Sequence, residues 1–282
     1  MKRKFIVNLN LCLVLCANLA IAQTGKILQL WPGKVPGETE AKHAAQIYKA
    51  NTSGVNIERI SNITDPILRV YKPLKNANGA AVIICPGGGN KYLAINLEGT
   101  EIAEWLVAKG YLALVLEYRV PLKNQGSFQD IQRAVRLIRS NAYDWKLKSD
   151  RIGVMGFSAG GNLAAQATTG FKIKSYLGED NIDSISCRPN FSILIYPGSL
   201  TGSDKKLMSE LLPSEETPPV FIFAASDDQY GIPFQFSQEL RNKKLPFELH
   251  VVPKGGHGYG IRKGNPAAES WPGLLDKWLT GL

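Results

Sequence analysis

A serine stands in the segment Gly156-Phe157-Ser158-Ala159-Gly160, directly after the apolar run 152–155. A G-x-S-x-G sequence between a strand and a helix forms a sharp turn, and the serine hydroxyl projects from it at the edge of a sheet. The turn is so tight that glycine is required on both sides of the serine. Such a hydroxyl can attack a carbonyl carbon when a base lies within hydrogen-bond reach. The segment therefore predicts a nucleophile at Ser158.

A histidine is the expected base, and the chain has three. His43 lies in an irregular N-terminal region, and His250 lies inside the predicted strand Phe247–Val252. His257 lies in a glycine-rich segment just after that strand. A loop at this position can reach over the carboxyl edge of a parallel sheet, whereas the alternative is an ordinary exposed loop histidine. We favour His257 as the base.

A carboxylate is needed to hold the base in the right tautomer. In the chain order Ser…Asp…His it falls between Ser158 and His257. Asp227 and Asp228 follow the apolar run Pro219–Ala224 and are both candidates.

A glycine-rich loop, Cys85-Pro86-Gly87-Gly88-Gly89-Asn90, follows a predicted strand upstream of the serine. Consecutive glycines let backbone N–H groups approach a developing oxyanion, where each donor contributes about 3 kcal/mol. We expect the amides of Gly88, Gly89 and Ala159 to be these donors. The alternative is a phosphate-binding loop, but no Lys-Ser/Thr pair follows the glycines and the G-x-G-x-x-G spacing is absent.

The elements that position these residues alternate between strands and helices. Continuous apolar runs predict strands at Ala80–Cys85, Leu112–Tyr118, Ile152–Gly156, Phe191–Tyr196, Pro219–Ala224 and Phe247–Val252. Amphipathic segments between and after them predict helices that include Gly99–Lys109, Phe128–Trp145 and a C-terminal helix around 271–278. The pattern predicts one α/β domain over residues 23–282, with a mostly parallel sheet, helices on both faces and no large lid. For residues 24–65 we expect loops and an antiparallel first strand.

Residues 1–22 have the pattern of a cleavable signal peptide. Lys2, Arg3 and Lys4 precede an interrupted apolar stretch that ends in Ala20-Ile21-Ala22. We expect secretion or a periplasmic location, with no stable membrane insertion after cleavage. The net charge of +9 then becomes +6, from 30 Lys+Arg against 24 Asp+Glu. The absence of a basic run argues against nucleic acid as a partner, and no cysteine, histidine or aspartate cluster has zinc spacing, so we expect no metal and no cofactor.

These motifs resemble those of α/β-hydrolase-fold esterases, in the branch of bacterial acetyl xylan esterase-like and related carbohydrate esterases. The similar stretches are 82–89, 97–99, 117–121, 129–134, 151–161 and 254–260. In related hydrolases the acid stands shortly before an apolar-Pro step, here Ile232-Pro233, which favours Asp228 over Asp227 as the acid. The segment 227–231 departs from the Asp-Asp-Pro-Val that is more usual in this branch, so the alternative stays open.

The resemblance implies hydrolysis of a short acyl ester, with acetyl as the expected group, on a plant-type polysaccharide or oligosaccharide. The expected binding partner is thus an acylated carbohydrate or another small ester. Asn90, Tyr92, Tyr230 and Tyr259 are the candidate substrate-binding residues. The alternatives are a general carboxylesterase or peptidase-like serine hydrolase, and a non-catalytic binding protein on the same fold.

Overall fold

A computed structural model describes residues 23–52 and 55–282, so the predicted signal peptide at 1–22 lies outside the described residues. Within these ranges the strands are β1 (Gln23–Gln29), β2 (Gln46–Thr52), β3 (Val55–Ser61), β4 (Ile67–Lys72), β5 (Ala81–Cys85), β6 (Leu93–Ala94), β7 (Leu112–Glu117), β8 (Ile152–Phe157), β9 (Phe191–Pro197), β10 (Val220–Ala225) and β11 (Phe247–Val252). The helices are α1 (Glu101–Ala108), α2 (Asn124–Ser140), α3 (Ser158–Thr169), α4 (Phe234–Asn242) and α5 (Pro266–Thr280). A π-helical turn, Asn96–Thr100, leads into α1. None of the helices in these ranges combines the length and apolarity needed to cross a bilayer.

The larger sheet has eight strands in the order β1-β4-β7-β5-β8-β9-β10-β11. Its pairs from β7 to β11 are parallel, and only β1–β4 and β4–β7 are antiparallel. Every residue of β5, β7, β8, β9 and β10 is buried, which explains why these strands are continuous apolar runs. The predicted mostly parallel α/β sheet is confirmed.

The N-terminal part contains more strand than the sequence predicted. β1 is the expected antiparallel first strand, but β2 and β3 form a hairpin that pairs with β6 in a separate three-stranded sheet. β4 was not predicted at all. It alternates between buried and half-exposed residues and includes Arg69, so it lacks the continuous apolar run that marks the central strands.

The boundaries of two helices also differ from those that the sequence predicted. α2 begins at Asn124 and ends at Ser140, earlier at both ends than predicted. Its C-terminal end is earlier because Asn141 starts a non-helical turn. The C-terminal helix α5 is longer than its apolar face suggested, because the Asn265 side chain accepts hydrogen bonds from the first-turn amides of Ala267 and Ala268.

The carboxyl ends of the parallel strands meet at one edge of the large sheet. The glycine-rich loop follows β5, Ser158 follows β8, Asp228 follows β10 and His257 follows β11. The topology thus brings residues from distant parts of the sequence to a single edge.

Candidate active site

Ser158 lies on the turn between β8 and α3. Its φ is +51°, a conformation that is uncommon for a residue with a side chain. A methyl group on Gly156 would lie 2.0 Å from the carbonyl oxygen of Gly160, and one on Gly160 would lie 2.1 Å from the carbonyl oxygen of Cys85. The two glycines of the motif are therefore required by close backbone contacts, as the sequence predicted.

His257 bridges Ser158 and Asp228. Its Nε2 atom lies 2.7 Å from Ser158 Oγ, and its Nδ1 atom lies 2.8 Å from Asp228 Oδ2. The Asp228 side chain is 1% exposed and that of His257 14%, so water has little access to the bond between them. The other oxygen, Asp228 Oδ1, accepts a hydrogen bond from the Tyr230 N–H at 2.9 Å. This arrangement can remove a proton from the serine hydroxyl while the carboxylate orients the imidazole.

Asp227, the other candidate acid, points to the backbone of the histidine loop. Its Oδ1 accepts a hydrogen bond from the Gly256 N–H at 2.8 Å, next to His257 in sequence. The structure therefore gives the two aspartates different contacts: Asp228, which the resemblance favoured, contacts the imidazole, and Asp227 contacts the loop that carries it.

The loop after β5 lies beside the serine turn. A methyl group on Gly87 would lie 2.7 Å from Ser158 Cβ, and one on Gly88 would lie 1.9 Å from the Tyr92 carbonyl oxygen. Gly89 has φ +63° with no heavy atom within 4 Å of such a methyl group, so the space in front of it is open. Ala159 is in the first turn of α3, where backbone N–H groups have no acceptor within the helix.

A cleft of about 490 Å³ opens at Ser158. Side chains that bear amides, hydroxyls and a carboxylate make up much of its wall: Asn90, Asn124, Ser127, Asn162, Gln166, Ser199, Glu210 and Tyr230. A larger groove of about 750 Å³ lies between α4, β11 and residues 205–212, but no residue of the Ser158–His257–Asp228 array lines it. The smaller, polar cleft is therefore the candidate substrate-binding site, because Ser158 lines it.

Two of the four predicted substrate-binding residues line this cleft. Asn90 lies beside the glycine loop, and the half-exposed Tyr230 ring lies 4.5 Å from the His257 ring, centroid to centroid. Tyr259 is buried, with its ring 4.3 Å from that of Tyr196. Tyr92 lies under the Arg59 guanidinium, 4.3 Å from its ring centroid, on the side of the small sheet. The structure does not bring these last two side chains into the cleft wall.

Sequence reasoning missed the polar residues of α3. Asn162 and Gln166 follow Ser158 at successive intervals of four residues, which places all three on one face of the helix. Five of the seven buried residues of α3 are glycine or alanine, so this polar stripe was a readable signal for a cleft wall. In the described ranges no group of three or more His, Cys, Asp or Glu side chains is placed to bind a metal ion.

A buried ion pair fixes the start of α2 beside the cleft. Arg119 Nη2 donates to Asp130 Oδ1 at 2.9 Å and to the Gly126 carbonyl oxygen at 2.9 Å, and both side chains of the pair are almost fully buried. Gly126 lies between the two α2 residues that line the cleft, Asn124 and Ser127. Arg119 and Asp130 thus act through packing and do not face the cleft.

Comparisons with known proteins show what the chain is similar to. The BD-FAE family matches residues 68–191. The acetyl ester-xyloside bifunctional hydrolase from Caldicellulosiruptor lactoaceticus superposes with a TM-score of 0.76 at 28% identity, over 93% of this chain and 98% of that one. The chain has the α/β-hydrolase fold.

The chain also has curated relatives. An acetylxylan esterase from Xylanibacter ruminicola is 30% identical over 217 residues, which is 66% of this chain and 42% of the relative. Endo-1,4-beta-xylanase B from Butyrivibrio fibrisolvens is 31% identical over 225 residues, 70% of this chain and 35% of the relative. The chain therefore spans less than half the length of each of these two curated relatives.

Proposed function

We propose that this chain is a serine esterase that removes short acyl groups, acetyl above all, from plant-type polysaccharides or their oligosaccharides. The observation that carries the proposal is the position of His257, 2.7 Å from Ser158 Oγ and 2.8 Å from Asp228 Oδ2. Two such contacts on opposite ring nitrogens are the arrangement that a base-activated serine requires.

The mechanism has two steps. Ser158 Oγ attacks the ester carbonyl carbon while its proton moves to His257 Nε2, and the carbonyl π electrons move to oxygen. The amides of Gly88, Gly89 and Ala159 bind this oxyanion. When the tetrahedral intermediate collapses, the carbon–oxygen bond to the sugar breaks and the imidazolium returns the proton to the departing alkoxide. Water then attacks the acyl-serine by the same route, which releases the acid and regenerates Ser158.

The cleft supports a carbohydrate as the leaving group. Its wall offers several hydrogen-bond donors and acceptors, and the exposed Tyr230 ring provides an aromatic face. Sugars carry many hydroxyl groups and apolar ring faces, so they match such a wall better than a long acyl chain does. The names of the Xylanibacter ruminicola and Caldicellulosiruptor lactoaceticus proteins favour acetylated xylan.

The proposal includes the site of action and the domain organisation. The sequence of residues 1–22 supports export to the periplasm or outside the cell, where the protein would encounter plant polysaccharides. Residues 23–282 would then act as one α/β-hydrolase domain. Removal of 1–22 during expression, measured by mass spectrometry of the mature N-terminus, tests this part; an intact Met1 on exported protein contradicts it.

The decisive experiment is release of acetate from acetylated xylo-oligosaccharides, with Ser158→Ala as the control. We expect release by the wild type and none above background by the variant. If Ser158 is required for turnover of p-nitrophenyl acetate but no acetate is released from the sugar, the mechanism stands and the carbohydrate substrate is wrong. The protein would then be a general carboxylesterase. Absence of both activities and of labelling by a fluorophosphonate probe would favour a non-catalytic binding protein.

A further inference from the structure

Glu98 is a buried carboxyl group next to the proposed catalytic centre. It lies in the π-helical turn Asn96–Thr100 and is 3% exposed. Among the described residues no lysine or arginine forms an ion pair with it. Burial raises the pKa of this carboxyl above its usual value, against the opposing effects of its hydrogen bonds and of nearby His257. Burying a carboxyl group without a cationic partner costs folding free energy.

Its two oxygens accept hydrogen bonds from the glycine loop and from strand β9. Glu98 Oε2 accepts a hydrogen bond from the Gly87 N–H at 2.7 Å, and Oε1 accepts one from the Tyr196 hydroxyl at 2.9 Å. The Tyr196 oxygen in turn accepts a hydrogen bond from the Gly260 N–H at 3.0 Å. Glu98 thus connects the glycine loop after β5 with the loop that carries His257.

The direction of these bonds requires an acceptor at both carboxyl oxygens. An amide N–H can only donate, so the Gly260 N–H makes the Tyr196 oxygen an acceptor there. The single phenolic proton of Tyr196 is then directed to Glu98. A glutamine at this position presents one oxygen and one NH₂ group, and can therefore accept only one of the two bonds.

The glycine loop fits closely between Glu98 and the serine. A methyl group on Gly87 would lie 2.7 Å from Glu98 Oε2 and also 2.7 Å from Ser158 Cβ. The residue before it is also fixed, because the buried Tyr118 hydroxyl donates to the Pro86 carbonyl oxygen at 2.6 Å. A shift of Glu98 would therefore move the backbone that leads directly into Gly88 and Gly89.

We propose that Glu98, acting through Gly87 and Tyr196, is a positioning residue that fixes the oxyanion-binding loop relative to the His257 loop. This inference rests on the proposed function and deepens it. Glu98 itself does not touch the substrate. It holds two loops, one with the predicted oxyanion donors and one with the base, at the spacing that the transition state requires.

The test compares Glu98→Gln and Tyr196→Phe with the wild type, using p-nitrophenyl acetate. Glu98→Gln keeps the size of the side chain, and Tyr196→Phe removes only the hydroxyl. The matched control is Tyr71→Phe, because Tyr71 is equally buried but its hydroxyl has no hydrogen-bond partner in the described part of the chain. Circular dichroism and thermal melting of each variant show whether it is folded.

We expect kcat to fall by about 10- to 100-fold in each variant, with KM changed by less than about threefold, since the lost contacts matter most for the transition state. Tyr71→Phe should keep the wild-type kcat. The double variant Glu98→Gln/Tyr196→Phe should lose little more than the more damaging single variant, because both act in one network.

Folded variants with kcat within about twofold of the wild type would overturn the inference, and so would losses that multiply in the double variant. A rise in KM with unchanged kcat would also overturn it, since it would indicate a binding role. These results differ from a wild type that lacks Ser158-dependent turnover, which would overturn the proposed function itself. If Glu98→Gln does not fold, Tyr196→Phe alone tests the inference: a kcat within about twofold of the wild type overturns it.

Discussion

The two adjacent aspartates allow a sharp test of the proposed catalytic array. Asp228→Asn places an amide where both carboxylate oxygens accept: Oδ2 faces His257 Nδ1 at 2.8 Å and Oδ1 faces the Tyr230 N–H at 2.9 Å. If the NH₂ group faces His257, Nδ1 must accept and the imidazole proton moves to Nε2. That tautomer cannot take a proton from Ser158. If the amide is reversed, its NH₂ group meets the Tyr230 N–H, donor against donor.

Asp227→Asn is the matched control. Asp227 Oδ1 accepts one hydrogen bond, from the Gly256 N–H at 2.8 Å, and an asparagine oxygen can accept it equally well. We therefore expect Asp228→Asn to lower kcat by about 10⁴-fold, which corresponds to about 5.5 kcal/mol in activation free energy. Asp227→Asn should change kcat by less than about threefold, because the asparagine keeps this surface hydrogen bond.

The assay is steady-state hydrolysis of p-nitrophenyl acetate, with thermal melting to establish that both variants are folded. The rate of labelling by a fluorophosphonate probe gives a second measure of Ser158 reactivity. An Asp227→Asn loss equal to or greater than the Asp228→Asn loss would refute the assignment of roles, and a folded Asp228→Asn enzyme with near wild-type kcat would refute the tautomer argument.

Three further predictions concern stability. Gly156→Ala should lower the free energy of unfolding by about 3 kcal/mol or prevent folding, because the added methyl group meets the Gly160 carbonyl oxygen at 2.0 Å; urea denaturation measures this, and an unchanged midpoint contradicts it. Asp130→Asn should cost about 3–5 kcal/mol in the same assay because it leaves the buried Arg119 guanidinium without its counter-ion, and a loss below about 1 kcal/mol would contradict that reasoning. Because burial raises the pKa of Glu98, the folded protein binds a proton there more readily than the unfolded chain. The stability of the wild type relative to Glu98→Gln should therefore increase as the pH falls from 8 toward the ordinary carboxyl pKa of 4.5, and a pH-independent difference would contradict it.

The central fold could be predicted from the sequence because its strands are buried on both faces. Runs such as Leu112–Glu117 and Phe191–Pro197 contain apolar residues on both sides of the sheet, so they are visible without tertiary information. The N-terminal hairpin Gln46–Ser61 is different. The described residues of β2 are mostly exposed and those of β3 are mostly half-buried. Both strands include charged and amide side chains, and they pair with each other and with Leu93–Ala94. Such pairing partners cannot be read from local composition.

The candidate site also has residues that could be predicted from the sequence and residues that could not. Ser158 and the glycine loop carry local backbone requirements, and His257 could be chosen because the chain contains so few histidines. The choice between Asp227 and Asp228 depends on side-chain directions after β10, which the sequence alone did not determine. The placement of Tyr259 depends on its packing against Tyr196, a contact between residues 63 positions apart that no local pattern encodes.

The Trp271 indole, fully buried in α5, donates a hydrogen bond to the Gly260 carbonyl oxygen at 2.9 Å. The ribosome therefore makes the support for the histidine loop after it has made Ser158, Asp228 and His257 themselves. A nascent or prematurely terminated chain that ends between residues 260 and 271 contains every proposed catalytic group, yet its histidine loop has no helix to dock against. Appearance of the proposed esterase activity should thus follow the docking of α5 and report completion of folding.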